Sequence, residues 1–291
     1  MEMVRAATWA DALAAKAAAP ELLPVAGGTD VMVELNFDRR RPAGLLDLTR
    51  VEDLSAWSVH GDTVVLGAGV TYASVVDELA DLLPGLAMAS RTVGSPQIRN
   101  RGTVGGNLGS ASPAGDAHPP LLAAGAVVEI ESVRGSRLVP VGEFFAGPKR
   151  SVLEPDELIR AVHVTCATGP EQFSKIGTRN AMVIAVASFG LRLDSTRRRV
   201  GTGIGSAAPT PRAAREAEEF LTGELASAGA WESREPIAPS VMRRFAELVA
   251  SASAPIDDVR GSAEYRRHAL GVMARRTLAW AWDEYRNGVA T

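Results

Sequence analysis

A chain of 291 residues, 46% of them apolar and 22% charged, has material for a sizeable core and for two domains. Its formal net charge of −3 leaves no basic surplus for nucleic acid, and no apolar run reaches the roughly 20 residues that a membrane helix needs. The single cysteine, Cys166, can form no internal disulfide and cannot hold an iron–sulfur cluster, which normally takes about four thiolates, so any such centre belongs to another chain.

The opening residues, MEMVRAATWADALAAKAAAP, lack the order of charge, apolar core and cleavage site of a signal peptide, and the cytoplasm is the expected compartment. Thr8 to Ala19 is expected to form a surface helix closed by Pro20. Leu22 to Val25 reads as a strand that enters a glycine turn within LPVAGGTD, Leu23 to Asp30, and Val31 to Leu35 as its continuation. Arg39-Arg40-Arg41 is expected in a solvated loop. Leu54 to Ser58 and Thr63 to Gly67 are short apolar runs around His60-Gly61-Asp62, a hairpin pattern. Thr71 to Leu83 has helical spacing at Val75, Val76, Leu79 and Leu83, with Thr71 as N-cap and Pro84-Gly85 as its stop.

Arg91 to Pro119, RTVGSPQIRNRGTVGGNLGSASPAGDAHP, sets Gly94, Gly102, Gly105, Gly106, Gly109 and Gly115 among Ser, Thr and Asn, with Asp116 as the sole acid. A pyrophosphate needs several donors at close range and tolerates few side chains, so this stretch reads as half of a phosphate cradle and Leu23 to Asp30 as the other half. A helix is expected at Pro120 to Ala124, a strand at Ala126 to Ser132, a packed corner at Phe144 to Pro148 and a strand at Leu158 to Thr165. Composition changes near Ala167 to Gln172, the expected domain boundary. Strands follow at Met182 to Leu193 and Val200 to Ile204, joined by a turn at Asp194 to Arg199, then helices at Ala213 to Leu221, Ser240 to Ala250 and Tyr265 to Tyr285. Strands first and helices after favour an α+β second part.

Gly201-Thr202-Gly203-Ile204-Gly205-Ser206 follows a strand, but Ser206 takes the last glycine position, Pro209 and Pro211 interrupt the required helix, and no acid sits at ribose spacing, which argues against a Rossmann turn. The four histidines, His60, His118, His163 and His268, have no metal-ligand spacing, and Ser112 and Ser206 lack a nucleophile elbow. Cys166 fits a small buried hydrophobe.

Ala26 to Asp30, Gln97 to Asn107 (QIRNRGTVGGN) and Ala111 to Asp116 (ASPAGD) resemble the FAD-binding medium subunit of the xanthine dehydrogenase and carbon monoxide dehydrogenase family of molybdenum hydroxylases. The similarity continues through Lys175 to Arg179, Ala208 to Arg212 and Asp258 to Arg266, nearly the whole chain. It implies an α+β protein: a two-part FAD-binding domain of the vanillyl-alcohol-oxidase (PCMH) type over residues 1–168, with subdomains of about 1–55 and 56–168, then a C-terminal domain at 169–291 with a three-stranded antiparallel sheet and helices. In that resemblance Val25, Ala26, Gly27, Gly28, Thr29, Asp30 and Val31 wrap the diphosphate, and Thr103, Gly105, Gly106 and Asn107 complete the wrap. Val93 and Gly94 line the cofactor, Ser110 donates a hydroxyl to a phosphate, Asp116 bonds the ribose or adenine end, and Ile159 and Lys175 lie beside the flavin. Lys175 would stabilise the reduced ring or stand at the surface. The first turn lacks the histidine that tethers FAD in covalent relatives, so FAD is expected to be noncovalent, and no residue stands out as catalytic.

The implied role is electron transfer from [2Fe-2S] clusters of a small partner subunit, after hydroxylation at the molybdenum cofactor of a large one, to NAD+, oxygen or another acceptor. A hetero-oligomer is expected, a dimer of heterotrimers being one such arrangement, with xanthine or another purine as the first choice of substrate and other N-heterocycles, aldehydes or carbon monoxide as alternatives. A stand-alone flavin reductase of the same fold and an assembly module that has lost FAD are the rival readings.

Overall fold

The computed structural model describes residues 2–288. The chain begins with a parallel three-stranded sheet in the order Glu2–Arg5, Gly44–Asp47, Leu23–Val25. The helix Trp9–Ala18 crosses between its strands; the Thr8 hydroxyl accepts from the Asp11 amide at 3.1 Å while the Asp11 carboxylate accepts from the Thr8 amide at 3.0 Å, a closed capping box. A five-stranded antiparallel sheet follows, in the order Trp57–His60, Thr63–Gly67, Leu158–Thr165, Val127–Ser132, Gly135–Pro140. Its long excursion between Gly67 and Val127 carries the short helices Tyr72–Glu78, Pro84–Arg91, Pro96–Arg99, Val104–Ser110 and His118–Ala123. The antiparallel sheet Glu171–Ile176, Ala187–Asp194, Arg199–Gly205 comes last, packed by the helices Arg215–Ser227, Pro239–Ser251 and Ala263–Asn287.

Two apolar clusters match this order. One joins the first two sheets, from Ala6 to Val164, and the other runs from Ala187 to Trp282. Between them the helix His118–Ala123, buried along its whole length, lies on the last sheet. A Cβ on Gly201 would stand 2.0 Å from Ala123 O, and one on Gly203 2.0 Å from Pro119 O. The GTGIG run therefore serves a backbone-to-backbone contact between the two parts and leaves no room for a nucleotide there. The buried guanidinium of Arg192 bonds across the junction to Thr165 O (2.8 Å) and Cys166 O (2.7 Å) and, within the second part, to Glu171 Oε1 (3.0 Å), while Glu171 Oε2 accepts from the Gly85 amide of the first part (3.0 Å). Among the described residues no helix is long and apolar enough to cross a membrane.

Several elements differ from the sequence expectation. Val31–Asn36 is a helix, although Val31, Val33 and Leu35 alternate like a strand: the chain leaves the sheet at Gly28, whose φ of +74° turns it, and the Met32 amide closes onto Gly28 O at 2.9 Å. Leu54 belongs to a 3-10 turn, Glu52–Ser55, and the strand starts only at Trp57. The helix capped by Thr71 ends at Glu78, and Pro84 opens the next one, because proline lacks the N–H that a first helical turn leaves unpaired. Within the glycine-rich stretch Val104–Ser110 is helical, with Thr103 as its N-cap. The strand expected from Met182 begins at Ala187.

Candidate cofactor cleft

The end of the strand Leu23–Val25 and the start of the helix Val104–Ser110 meet at the mouth of a cleft of about 460 Å³. Gly27 makes this meeting possible: a Cβ there would stand 1.7 Å from Arg101 O and 2.4 Å from its carbonyl carbon. Among the described residues the backbone N–H groups of Gly27, Gly28, Thr29, Asp30 and Val31 donate to no protein acceptor. Five consecutive unpaired amides are a strong demand for an anion or for water.

The second turn contributes differently. Its amides are already used: Val104 N–H donates to Val70 O (3.0 Å), Gly105 to Ala68 O (3.1 Å), Gly106 to the Thr103 hydroxyl (2.9 Å) and Asn107 to Thr103 O (3.0 Å). What it offers is bareness. A Cβ on Gly106 would meet only its own cap, Thr103 Oγ1, at 2.8 Å, and one on Gly109 only Ile159 Cδ1, at 3.8 Å. The protein leaves that space empty, which suits a ligand seated against the helix start.

Of the residues expected at the site, Ala26 to Val31, Val93, Thr103, Gly105, Gly106, Asn107, Ser110 and Ile159 line the cleft together. Val25 does not line it; its side chain supports the Gly28 turn from behind. Gly94 is also set back, with a φ of +43° that folds the chain over Ile98. The Ser110 hydroxyl donates to Asp30 Oδ2 at 2.7 Å and so joins the two turns directly. Asp116 and Lys175 pair with each other: Lys175 Nζ lies 2.6 Å from Asp116 Oδ2 and 3.3 Å from Thr92 O, and its side chain is only 7% exposed, so it is no surface lysine. Burial drives the Asp116 carboxyl up to about 6, against the opposing pull of the Lys175 ammonium.

Tyr72, Ile98, Lys16, Arg40 and Lys149 also line the cleft and carry no sequence signal of their own. Lys149 pairs with Glu34 of the first-turn helix, with Arg40 3.7 Å from the same carboxylate, and this holds the Glu34 carboxyl below the usual range. Lys16 points inward instead, donating to Pro20 O (2.6 Å) and Leu22 O (2.7 Å). The charges near the opening thus satisfy one another, and what the first turn offers a ligand is its free backbone amides. His118 is fully buried, its Nε2 donating to Asn107 O at 3.2 Å and its ring packed on Phe145 at 4.7 Å; burial lowers it to about 4, so it is a neutral structural imidazole. Among the described residues no group of three His, Cys, Asp or Glu side chains is placed to hold a metal.

A cleft with backbone donors on one wall and bare helix on the other defines a protein suited to an extended, phosphate-bearing ligand. The family model described as the FAD binding domain in molybdopterin dehydrogenase matches residues 1–165, and that described as the CO dehydrogenase flavoprotein C-terminal domain matches residues 172–281. The xanthine dehydrogenase FAD-binding subunit of Escherichia coli O157:H7 is 31% identical over 95% of this chain and 94% of its own. The nicotine 6-hydroxylase medium subunit of Paenarthrobacter nicotinovorans is 30% identical over 88% of each. A solved chain of reconstituted CO dehydrogenase from Oligotropha carboxidovorans superposes with a TM-score of 0.87 at 28% identity, covering 97% of this chain and 98% of that one. The chain belongs to the FAD-binding flavoprotein subunits of the molybdenum hydroxylase family.

Proposed function

We propose that this chain is the electron-transferring FAD subunit of a cytoplasmic molybdenum hydroxylase, taking electrons from the [2Fe-2S] clusters of a small partner subunit and delivering them to NAD+ or another acceptor. The observation that carries this reading is the pairing of five free amides, Gly27 to Val31, with the bare start of the helix Val104–Ser110 across one cleft. Those amides and the Thr29 hydroxyl would hold the diphosphate; Val93 and Ile159 offer apolar surface to a ring system. Asp116 and Lys175, bonded to each other behind the cleft, would set the charge beneath the flavin end and not contact the ribose. FAD supplies both one- and two-electron chemistry when bound, which is what a chain with no residue committed to acid–base work on an organic substrate requires. With no histidine in the first turn, that FAD is noncovalent.

The division at residue 168 is supported by the separate matches at 1–165 and 172–281. Partners would be a large molybdenum subunit and the small [2Fe-2S] subunit, in a hetero-oligomer whose large subunit fixes the substrate; the relatives' names span xanthine, nicotine and carbon monoxide. The test is to incubate the purified chain with FAD, desalt it, record the visible spectrum and precipitate with acid. Flavin bands that stay with the protein and then pass wholly to the supernatant are expected, with Gly106→Val folded but colourless. A wild-type chain without flavin, or flavin in the acid pellet, would refute the reading as stated.

A further inference from the structure

Tyr72 opens the helix Tyr72–Glu78 beside the second glycine turn, where its amide donates to Gly102 O at 3.0 Å. Its ring lies against Gly102, so close that a Cβ on that glycine would stand 3.2 Å from Cδ2, and it forms part of the cleft wall. The residue is 3% exposed, and its hydroxyl has no partner among the described residues. A buried hydroxyl without a hydrogen bond is a standing cost that folded proteins avoid.

The neighbouring acceptors do not take it. Asp30 and Asp116 are near enough to oppose ionisation of the phenol, yet Asp30 Oδ2 accepts from Ser110, Asp116 Oδ2 accepts from Lys175, and Asp116 Oδ1, buried too, is not bonded to the phenol and is left without a partner among the described residues. Burial first, then those two carboxylates, pushes the phenol far above its ordinary range, so it keeps its proton and stays a donor. Asn107 Oδ1, another buried atom of the cleft residues, is equally without a partner.

We propose that the Tyr72 hydroxyl is a hydrogen-bond donor to bound FAD, its missing partner being an acceptor atom of the dinucleotide. This inference rests on the reading of the cleft as the FAD site. Tyr72→Phe deletes one oxygen and leaves the ring on Gly102. Two quantities decide the matter in the full-length chain: the FAD Kd, from quenching of flavin fluorescence, and the melting midpoint of the apoprotein. The expected result is FAD binding about three- to tenfold weaker, with an apoprotein midpoint equal to or above that of wild type. A lowered apoprotein midpoint would mean that the hydroxyl bonds within the protein, and an unchanged Kd that it does not reach FAD; either overturns the inference. Gly106→Val in the same titration separates the two levels. If it loses FAD while Tyr72→Phe binds like wild type, only the role of Tyr72 fails; if the wild-type chain binds no FAD, the reading of the cleft fails and the inference with it.

Discussion

Replacing Gly27 by alanine tests whether the two glycine turns are held together by direct backbone contact. The new methyl carbon would lie 1.7 Å from Arg101 O and 3.0 Å from the Gly102 nitrogen. A carbon–oxygen contact needs about 3.3 Å, so the turns must part by roughly 1.6 Å. Overpacking costs about 1–3 kcal/mol where side chains can yield; a backbone carbonyl has no rotamer to change, which places this substitution at about 3 kcal/mol or above. For a chain of this size that is a fall in melting midpoint of about 6–12 °C. The same movement displaces the free amides of Gly27 to Val31 from the helix start opposite, so FAD affinity falls as well. Gly106→Ala is the matched control: its methyl meets only Thr103 Oγ1, costing at most a helix cap, about 1 kcal/mol, while filling space the ligand needs. Urea unfolding of the apoproteins and FAD titration read the two effects separately. Wild-type apo stability together with wild-type FAD affinity in Gly27→Ala would refute the contact. Gly28→Val is the poorer probe, because a β-branched residue at a φ of +74° is strained whether or not FAD binds there.

Gly203→Ala drives a methyl to 2.0 Å from Pro119 O and should loosen the two parts of the chain, seen as a single calorimetric transition becoming two; one unchanged transition would argue against the glycine corridor as the coupling element. His118, held neutral with a pKa lowered from 6.5 to about 4, contributes stability that is complete above pH 6.5 and is lost as pH falls through 4. The loss is about 3 kcal/mol, and urea unfolding of wild type and His118→Phe at pH 7 and pH 4 should show the pH dependence shrinking by about that amount in the variant.

What the sequence made legible was local. Gly27-Gly28 after an apolar run and the glycines from Gly94 to Gly115 announced close backbone approach, and their order carried the family resemblance. The division of labour between the turns is not legible, since it depends on where each amide goes: Gly105 N–H to Ala68 O, 37 positions away, and Gly27 N–H to no acceptor among the described residues. The helix Val31–Asn36 is hidden in the sequence because apolar residues at alternate positions, Val31, Val33 and Leu35, imitate a strand, while the single backbone turn at Gly28 decides its course. Pro209 and Pro211 argue locally against a Rossmann turn at GTGIG, but the reason for its glycines, the carbonyls of Pro119 and Ala123 pressed against it, lies in another part of the chain. The Asp116–Lys175 pair, 59 residues apart, likewise exists only after folding.

These long-range contacts assign the two parts unequal roles. Among the described residues every one that lines the cleft lies at or before Ile159, so the described ligand surface belongs to the first part. The second part reaches it from two sides: Lys175 grips Asp116 and bonds Thr92 O beside the cleft residue Val93, and two residues after Asp116 the helix His118–Ala123 settles onto Gly201 and Gly203. The start of that helix is bonded in turn to the cleft floor, since His118 donates to Asn107 O inside the helix Val104–Ser110. A displacement of the last sheet therefore arrives first at the bare helix start by way of the His118 ring, and reaches the free amides of the first turn, which stand on a different sheet, less directly, through the Ser110–Asp30 bond and the Gly27–Arg101 contact. Damage to the interface should accordingly weaken what the second turn holds more than what the first turn holds, which makes the flavin content of Gly203→Ala a measure of how far the helix start, as distinct from the amides, secures the cofactor.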